Sequence, residues 1–200
     1  MNWLAHVFLS EPNVEFQLGN LLADVVRGPQ REAMSAGFVR GAACHKAIDA
    51  FTDAHPIVRR SRARMSSEHR RFSGVFVDVF YDYFLASDWK RYSGVALDAY
   101  TAAFYASAEP HLIELPPDAR TLLGRIIQHD LLGSYVRVDG VERALRRISS
   151  YLSSRWGREF TLDRGVSDLL AHEADFAADF REFFPSLQAH VARFAASKPS

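Results

Sequence analysis

Apolar residues recur at spacings of three and four along most of the chain, which is the period that gathers them on one face of an α-helix. Strand-like alternation is scarce, and prolines with short turns separate the helical stretches. The pattern therefore predicts an all-α protein, whose last helix we expect to bend or break near Pro185. Helices are expected over residues 14–27, 36–53, 56–70, 74–87, 91–107, 117–133, 138–154 and 165–195.

A length of 200 residues is typical of one domain that buries its own core, so residues 1–200 are interpreted as a single compact multi-helix domain. Fifteen phenylalanines predict a core in which aromatic rings pack against each other. The C-terminal tail, about 195–200, contains small and polar residues with one proline and is expected to fray.

Charge and cysteine content narrow the classes of function. The 24 basic residues equal the 24 acidic ones, which argues against wholesale nucleic-acid binding. Cys44 is the only cysteine and cannot form an intramolecular disulfide, as is usual in a reducing compartment. Neither a signal peptide nor an apolar run of about 18 residues is found. We therefore expect a cytoplasmic protein without nucleic-acid or membrane partners.

The sharpest polar pattern is the segment that contains His45, Asp49 and Asp53 at spacings of four. On a helix each such step rotates the side chain by about 40°, so the three residues form a slanting stripe. Imidazole and carboxylate groups on adjacent turns can bind one divalent ion, and a mixed nitrogen and oxygen set suits Mn, Fe or Zn. The alternative interpretation is a solvated polar face.

Two more polar pairs lie within strongly apolar segments. Asp78 and Asp82 are four residues apart, and a buried pair of carboxylates needs positive charge, from a metal ion or from arginines. Asn20 and Asp24 repeat the spacing, and Arg27 follows, able to pair with Asp24 or to hold a phosphate oxygen. Side chains that converge from facing helices are the way in which helical bundles build metal sites.

Several short motifs, in fixed order along essentially the whole chain, resemble the acyl carrier protein phosphodiesterase family. They are Met1-Asn-Trp-Leu-Ala-His6, Gly19-Asn-Leu-Leu-Ala-Asp24-Val-Val-Arg27-Gly28, His45…Asp49…Thr52-Asp53…His55-Pro56, Asp78-Val-Phe-Tyr-Asp82-Tyr-Phe-Leu85-Ala-Ser-Asp-Trp89 and Phe180-Arg-Glu-Phe-Phe-Pro185. The family is similar to a divergent helical branch of the HD-domain phosphohydrolases, so the resemblance implies an HD-domain-like helical bundle. It also implies hydrolytic removal of 4′-phosphopantetheine from holo-acyl carrier protein, with Mn²⁺ as the favoured metal and Mg²⁺ or Fe²⁺ as alternatives.

Carried over position by position, the resemblance implies a metal site in this chain. Its candidate ligands are Asp24, His45, Asp49, Asp78 and Asp82. His6 and Asp53 are further candidates, although a lone histidine in an apolar stretch, such as His6, is more often a buried core residue.

The chemistry of phosphodiester hydrolysis suggests roles for some of these residues. We expect Asp49 or Asp82 to orient the attacking water as a general base. We expect Arg27 or Lys46 to stabilise the negative charge of the phosphoryl oxygens.

An arginine-rich segment directly follows the stripe that begins at His45. Acyl carrier proteins are acidic, so these arginines are expected to attract and orient the partner, whereas the alternative is a solvated basic face. The arginines are Arg59, Arg60, Arg62 and Arg64.

One residue departs from the family pattern. Where the family commonly has Asp-His-Phe-Leu, this chain has tyrosine, Tyr83, in place of the histidine. Tyrosine cannot replace imidazole as a neutral metal ligand or as a base near pH 7. If that histidine is essential, the chain is a non-catalytic domain that binds the carrier protein. If it is peripheral, Tyr83 can donate a hydrogen bond to phosphate.

The dipeptide His129-Asp130 supports another hypothesis. In HD-type phosphohydrolases such a dipeptide supplies two metal ligands, although a two-residue match arises by chance in many proteins and a structural role is favoured here. With these two residues as ligands, the alternative function is a metal-dependent phosphohydrolase that acts on a small nucleotide or phosphoester.

Overall fold

The computed structural model describes residues 1–197, and within that range the regular structure is helical with no strand. The expected all-α class is confirmed. The α-helices are α1 (Trp3–Phe8), α2 (Val14–Leu22), α3 (Pro29–Glu32), α4 (Ala36–Ala54), α5 (Pro56–Arg64), α6 (Ser73–Ser87), α7 (Leu97–Ala108), α8 (Pro117–Gln128), α9 (Val138–Trp156), α10 (Val166–Ala171) and α11 (Glu173–Ala196). Short 3₁₀ turns join several of them. The expected fraying of the tail falls mainly on residues 198–200, outside the described residues.

The helix boundaries agree best where a cap or turn marks them. The predicted helices 36–53 and 74–87 differ from α4 and α6 by one residue at an end. Three others end early: α2 at Leu22, α5 at Arg64 and α8 at Gln128, each about five residues before the predicted end. Short helices such as α1 and α3 offer too few residues for a periodic pattern and were not predicted.

The last helix was expected to bend or break near Pro185, and it is not broken there. Helix α11 continues through this residue, and the interruption lies instead at His172, between α10 and α11. Phe183, Phe184 and Leu187 are fully buried on both sides of the proline, and their packing holds the helix together across the missing N–H.

Helix α6 runs through the middle of the protein and is buried nearly all round. It packs against α1, α5, α9 and α11, and the phenylalanines of α11 contact its aromatic residues in edge-to-face or tilted arrangements. The buried residues of α6 are Phe76, Val77, Val79, Phe80, Tyr81, Asp82, Tyr83, Phe84, Leu85 and Ala86. No helix among residues 1–197 is long and apolar enough to span a membrane.

The backbones of helices α2 and α4 lie very close together because each helix presents a glycine to the other. A Cβ atom added to Gly19 would collide with the backbone of α4, and one added to Gly41 would collide with the backbone of α2. Any larger residue at these positions would push the two helices apart. The short range places Asn20, the neighbour of Gly19, against His45, which lies one turn after Gly41.

A buried carboxylate ties α5 and α6 to α11. Asp179 is 1% exposed and accepts hydrogen bonds from Arg60 Nε at 2.7 Å, Arg64 Nε at 3.1 Å and Ser61 Oγ at 2.7 Å. Ser61 Oγ in turn lies 2.8 Å from the hydroxyl oxygen of Tyr81. Burial alone would raise the pKa of Asp179, but Arg64, Ser61 and Arg60 outweigh it and hold the pKa below its usual range.

We predict that Asp179→Asn destabilises the fold by about 2 kcal/mol at pH 7, since it weakens hydrogen bonds between charged groups. The folded-state pKa lies below the unfolded value of about 3.9, so the carboxylate contributes stability above that pH and loses it as the pH falls through the folded pKa. Urea denaturation at pH 7 and at pH 3 measures both effects. The difference between wild type and variant should shrink at pH 3.

Glu182→Gln is the matched control for this variant. Glu182 also binds Arg60, but its side chain is 58% exposed, and exposed ion pairs contribute little. Equal stabilities of the Asp179→Asn and Glu182→Gln variants at pH 7 would contradict the importance of the buried carboxylate.

Candidate metal centre

Two buried histidines from different helices lie face to face. The ring centroids of His6, on α1, and His45, on α4, are 4.0 Å apart with an angle of 15° between the planes. Asp49 lies one turn after His45 on α4, and the ligand atoms of the three residues all lie within 4.8 Å of one another. No other group of this kind, with three or more metal-binding side chains, occurs within residues 1–197.

Asn20 fixes the orientation of both rings. Its Nδ2 donates to the backbone oxygen of His6 and to Ser10 Oγ, both at 2.9 Å, so its Oδ1 is the acceptor of the contact with His6 Nδ1 at 2.8 Å. The backbone oxygen of Asn20 lies 2.7 Å from His45 Nδ1 and also can only accept. Both histidines therefore carry a proton on Nδ1, and in the neutral form Nε2 of each offers a lone pair.

The Nε2 atoms face carboxylate and carbonyl oxygens. His45 Nε2 lies 3.0 Å from Asp49 Oδ2 and 3.6 Å from Asp24 Oδ2, but neither oxygen is aligned for a hydrogen bond, and this buried nitrogen has no partner among the described residues. His6 Nε2 lies 3.3 Å from Asp49 Oδ1 and 3.2 Å from the carbonyl oxygen of Met1. All of these oxygens are hydrogen-bond acceptors, so neutral histidines would meet them with lone pair against lone pair.

The electrostatics of the group show that it attracts positive charge. Burial alone would lower the pKa of His45, but the carboxylates of Asp24 and Asp49 outweigh it and raise the pKa to about 9. Burial would raise the pKa of Asp49, yet His45 and His6 hold it well below its usual range. The pKa of His6 is lowered, chiefly by burial, which disfavours a second proton on this ring.

A divalent cation fits these residues. Two neutral imidazoles whose Nδ1 protons are fixed by hydrogen bonds, together with carboxylate oxygens, form a donor set suited to Mn, Fe or Zn. A cation between the Nε2 atoms and Asp49 would take the place of the proton that the raised pKa of His45 keeps on its ring at neutral pH. The orphaned Nε2 of His45 is the observation that most directly indicates a missing ligand at this position.

Asp24 and Asp78 lie at the rim of the centre. The side chain of Asp24 is 77% exposed, and His45 holds its pKa below the usual range. Asp78 Oδ1 lies 3.0 Å from the α-amino nitrogen of Met1, which also lies 3.4 Å from Asp49 Oδ1. Asp24 thus contacts His45 directly, whereas Asp78 is linked to Asp49 through the amino group of Met1.

Asp82 has a different environment from the other candidate ligands. It is fully buried, and its two carboxylate oxygens accept hydrogen bonds from the backbone N–H groups of Leu4 at 2.7 Å and Ala5 at 3.1 Å. Burial raises the pKa of Asp82 to about 7 although both N–H groups oppose this. These groups belong to the first turn of α1, so Asp82 anchors the helix that carries His6.

A pocket of about 270 Å³ opens beside the centre, and the two candidate phosphate-binding residues of the sequence line it. Arg27 is highly exposed and lies 3.8 Å from Asp24, which is a loose ion pair, and Lys46 is exposed next to His45. The residues that line the pocket are Ala23, Asp24, Arg27, Arg31, His45 and Lys46.

The arginine-rich segment is largely paired with acids of the same chain. Arg60 and Arg64 bind Asp179, and Arg62 binds Asp53. The pair with Arg62 directs the Asp53 side chain toward α5 rather than toward the two histidines. Of the four arginines, Arg59 is the exposed one for which residues 1–197 provide no acidic partner.

The remaining candidates lie apart from the centre. His129 is exposed at the end of α8, and Asp130 has a φ of 42° and accepts hydrogen bonds from Tyr105 and Gly133, as expected of a turn residue. The hydroxyl of Tyr83 donates to Glu173 at 2.7 Å, at the start of α11.

From the sequence, His6 is only a further candidate ligand and Asn20 has no role of its own. Their tertiary contacts reveal both roles. The one available signal was composition: Asn20 is an amide in an otherwise apolar helix and needs buried hydrogen-bond partners, which two imidazoles can provide.

Comparison with known proteins identifies a single family. The family model described as "Acyl carrier protein phosphodiesterase" matches residues 1–187. Proteins of that name from Photorhabdus laumondii, Serratia proteamaculans and Escherichia coli O157:H7 are each 32% identical to this chain. The alignments cover 92%, 94% and 98% of this chain and 92%, 95% and 100% of the relatives. No solved structure matches, so the likeness to HD-domain hydrolases stays a prediction.

We predict that the protein binds Mn²⁺ and that His6→Ala or His45→Ala weakens binding at least about tenfold, because each removes an Nε2 donor. Asn20→Ala should weaken it by roughly 10–100-fold, since the loss of an orienting hydrogen bond commonly costs that much. Calorimetric titration with Mn²⁺ measures the affinities.

His129→Ala is the matched control for the metal titration, as it removes an exposed imidazole outside the centre. It should leave Mn²⁺ binding unchanged. Loss of metal from His129→Ala, with normal binding by His45→Ala, would instead place the metal at the dipeptide that follows α8.

Proposed function

The chain belongs to the acyl carrier protein phosphodiesterase family, and we propose that it hydrolyses the phosphodiester that links 4′-phosphopantetheine to a serine of holo-acyl carrier protein. The oxygen of water would bond to phosphorus, the bond from phosphorus to the serine oxygen would break, and that oxygen would take up a proton. The products are the apo-carrier protein and free 4′-phosphopantetheine. The orphaned Nε2 of His45, beside a pocket lined by cationic residues, is the observation that supports this reaction here.

The centre is proposed to hold Mn²⁺, with His6, His45 and Asp49 as the central ligands and Asp24 and Asp78 at its rim. A divalent cation there supplies positive charge to the phosphoryl oxygens and makes an attacking water more acidic at neutral pH. Of the two carboxylates proposed as general base, Asp49 is 39% exposed. Asp82 has both oxygens bound by backbone N–H groups, so we assign it to positioning α1 instead.

The cationic wall of the pocket would face the phosphate. Arg27 and Lys46 are exposed and can move toward phosphoryl oxygens without the loss of a buried contact. Their charges would offset the negative charge of the reacting group, which increases as the bond to serine breaks.

The partner proposed for the protein is acyl carrier protein, and its location is proposed to be the cytoplasm. Because Arg60, Arg62 and Arg64 are already bound to acids, the proposed basic surface is weaker than the sequence alone suggests. Within it, Arg59 is the residue best placed to attract an acidic protein. Steering of this kind acts over about 8 Å at physiological ionic strength, so it would weaken with added salt.

We predict that the protein converts holo-carrier protein to the apo form when Mn²⁺ is present and that a chelator stops the reaction. Asp49→Asn should lower kcat by at least about a hundredfold, since it removes both a ligand and the candidate base. Intact mass of the carrier protein and detection of free phosphopantetheine measure the conversion.

Asp139→Asn is the control for this assay, because Asp139 is an exposed aspartate paired with Arg143 on α9. It should react at the wild-type rate. If folded, Mn²⁺-loaded wild type releases no phosphopantetheine, the hydrolytic function is wrong and a carrier-binding role takes its place.

Tyr83→His should change kcat by less than about threefold. The Tyr83 hydroxyl contacts Glu173 rather than the histidine pair, so a histidine there would not reach the reacting phosphate. The same mass assay tests this. A rise of tenfold or more would show that tyrosine at this position impairs the site.

A further inference from the structure

One guanidinium beside the pocket is held in place by contacts that leave its charge unpaired. Arg31, on the short helix α3, is half-buried and lines the pocket with Asp24 and His45. Its Nε donates to the carbonyl oxygen of Val26 at 3.0 Å, and its Nη2 donates to that of Ala23. Both acceptors are neutral backbone groups, and no carboxylate within residues 1–197 forms an ion pair with Arg31.

The local backbone is built to bring Arg31 back toward α2. Gly28 has φ 51° and ψ −134°, a conformation essentially restricted to glycine, and it reverses the chain after α2. Pro29 then starts α3, and Arg31 reaches the carbonyls of the turn just passed. The role of Arg31 is not predictable from the local sequence pattern, because its contacts with the two carbonyl oxygens depend on the turn.

Arg31 differs from the other two cations of the pocket because its side chain is already held in place. It therefore loses less conformational freedom when it binds a ligand. Arg27 is highly exposed and already faces Asp24, and Lys46 is a flexible exposed chain. A guanidinium has five N–H donors, and the two used by Arg31 fix its plane while others remain available. A cation that is already ordered binds an anion at a smaller entropic cost than a mobile one.

We propose that Arg31 is the residue that recognises the phosphoryl group of the substrate, with Arg27 and Lys46 adding charge around it. The ligand class is a phosphate ester, whose oxygens accept paired hydrogen bonds from a planar guanidinium. The pocket also contains Asp24 and His45, so an ester held by Arg31 lies next to the proposed centre. This inference rests on the proposed function and names the residue that binds its reacting group.

The test compares two ligands that differ only in the phosphate. Calorimetry with Mn²⁺-loaded protein measures the affinities for 4′-phosphopantetheine, which is the product, and for pantetheine, which lacks the phosphate. Wild type should prefer phosphopantetheine. Arg31→Ala and Arg31→Gln should weaken phosphopantetheine binding about tenfold or more while pantetheine binding is unchanged, as expected for loss of hydrogen bonds to a charged group.

Arg31→Gln and one control variant sharpen the result. Arg31→Gln keeps one donor for the carbonyls of the turn, so it reports on charge if Arg31→Ala fails to fold. Arg125→Gln, an exposed arginine on α8 outside the pocket, is the matched control and should bind both ligands like wild type. A folded Arg31→Gln variant with the wild-type preference for phosphopantetheine would overturn the proposal.

Apo-carrier protein, which has carboxylates but no phosphate, separates a protein contact from phosphate recognition. Equal losses of apo-carrier and phosphopantetheine binding in Arg31→Gln would assign Arg31 to the acidic partner and overturn the proposal. The turnover assay is independent of these affinities. Turnover by wild type without an Arg31 effect removes this inference alone, whereas Arg31-dependent phosphate binding without turnover removes the proposed hydrolysis and leaves the phosphate site.

Discussion

The short-range packing of α2 against α4 is the constraint on which the rest of the site depends. Two glycines, Gly19 and Gly41, allow the backbones to approach, and this places Asn20 within hydrogen-bond distance of Nδ1 of both histidines. One residue then sets both Nδ1 protons, through its side chain for His6 and through its carbonyl for His45. A wider spacing would remove the hydrogen bond to His45 and draw its ring away from that of His6, which Asn20 also binds, so the stacked pair depends on the packing of these two helices.

The second requirement is that α1 keeps its position relative to α6. Six residues are too few for a helix to be stable by itself, so the position of His6 depends on contacts from elsewhere. Asp82 provides them by binding the first free N–H groups of α1, which are left without partners in any helix. Although Asp78 is only one turn away on the same helix, it faces the rim and remains 30% exposed. Two aspartates four residues apart thus have different roles.

The same comparison explains what the sequence could and could not predict. Periodicity gave the helical class and the stripe of His45 and Asp49, since both are properties of one local helix. A buried aspartate that binds a metal and one that binds backbone N–H groups have the same local sequence pattern. The role of Asp82 therefore cannot be predicted from the sequence alone. The arginine-rich segment likewise has no obvious acidic partner in the nearby sequence, because its main partner, Asp179, is more than a hundred residues away in sequence. Local sequence patterns predict where helices form, but they do not predict which distant residues pair with each other.

The exposure of the side chains increases from the inner side of the centre to its outer side. The imidazoles are buried, Asp78 and Asp49 are 30% and 39% exposed, and Asp24 at the mouth is 77% exposed. A cation bound at the imidazoles would therefore be fixed on its inner side by groups that cannot move, while the outer side remains open to the pocket. Catalytic metal sites need such an open position, whereas structural sites are closed. Since Arg27, Arg31 and Lys46 line that open side together with Asp24, an anionic ester entering the pocket would face three positive charges against one negative charge, with the cation behind them.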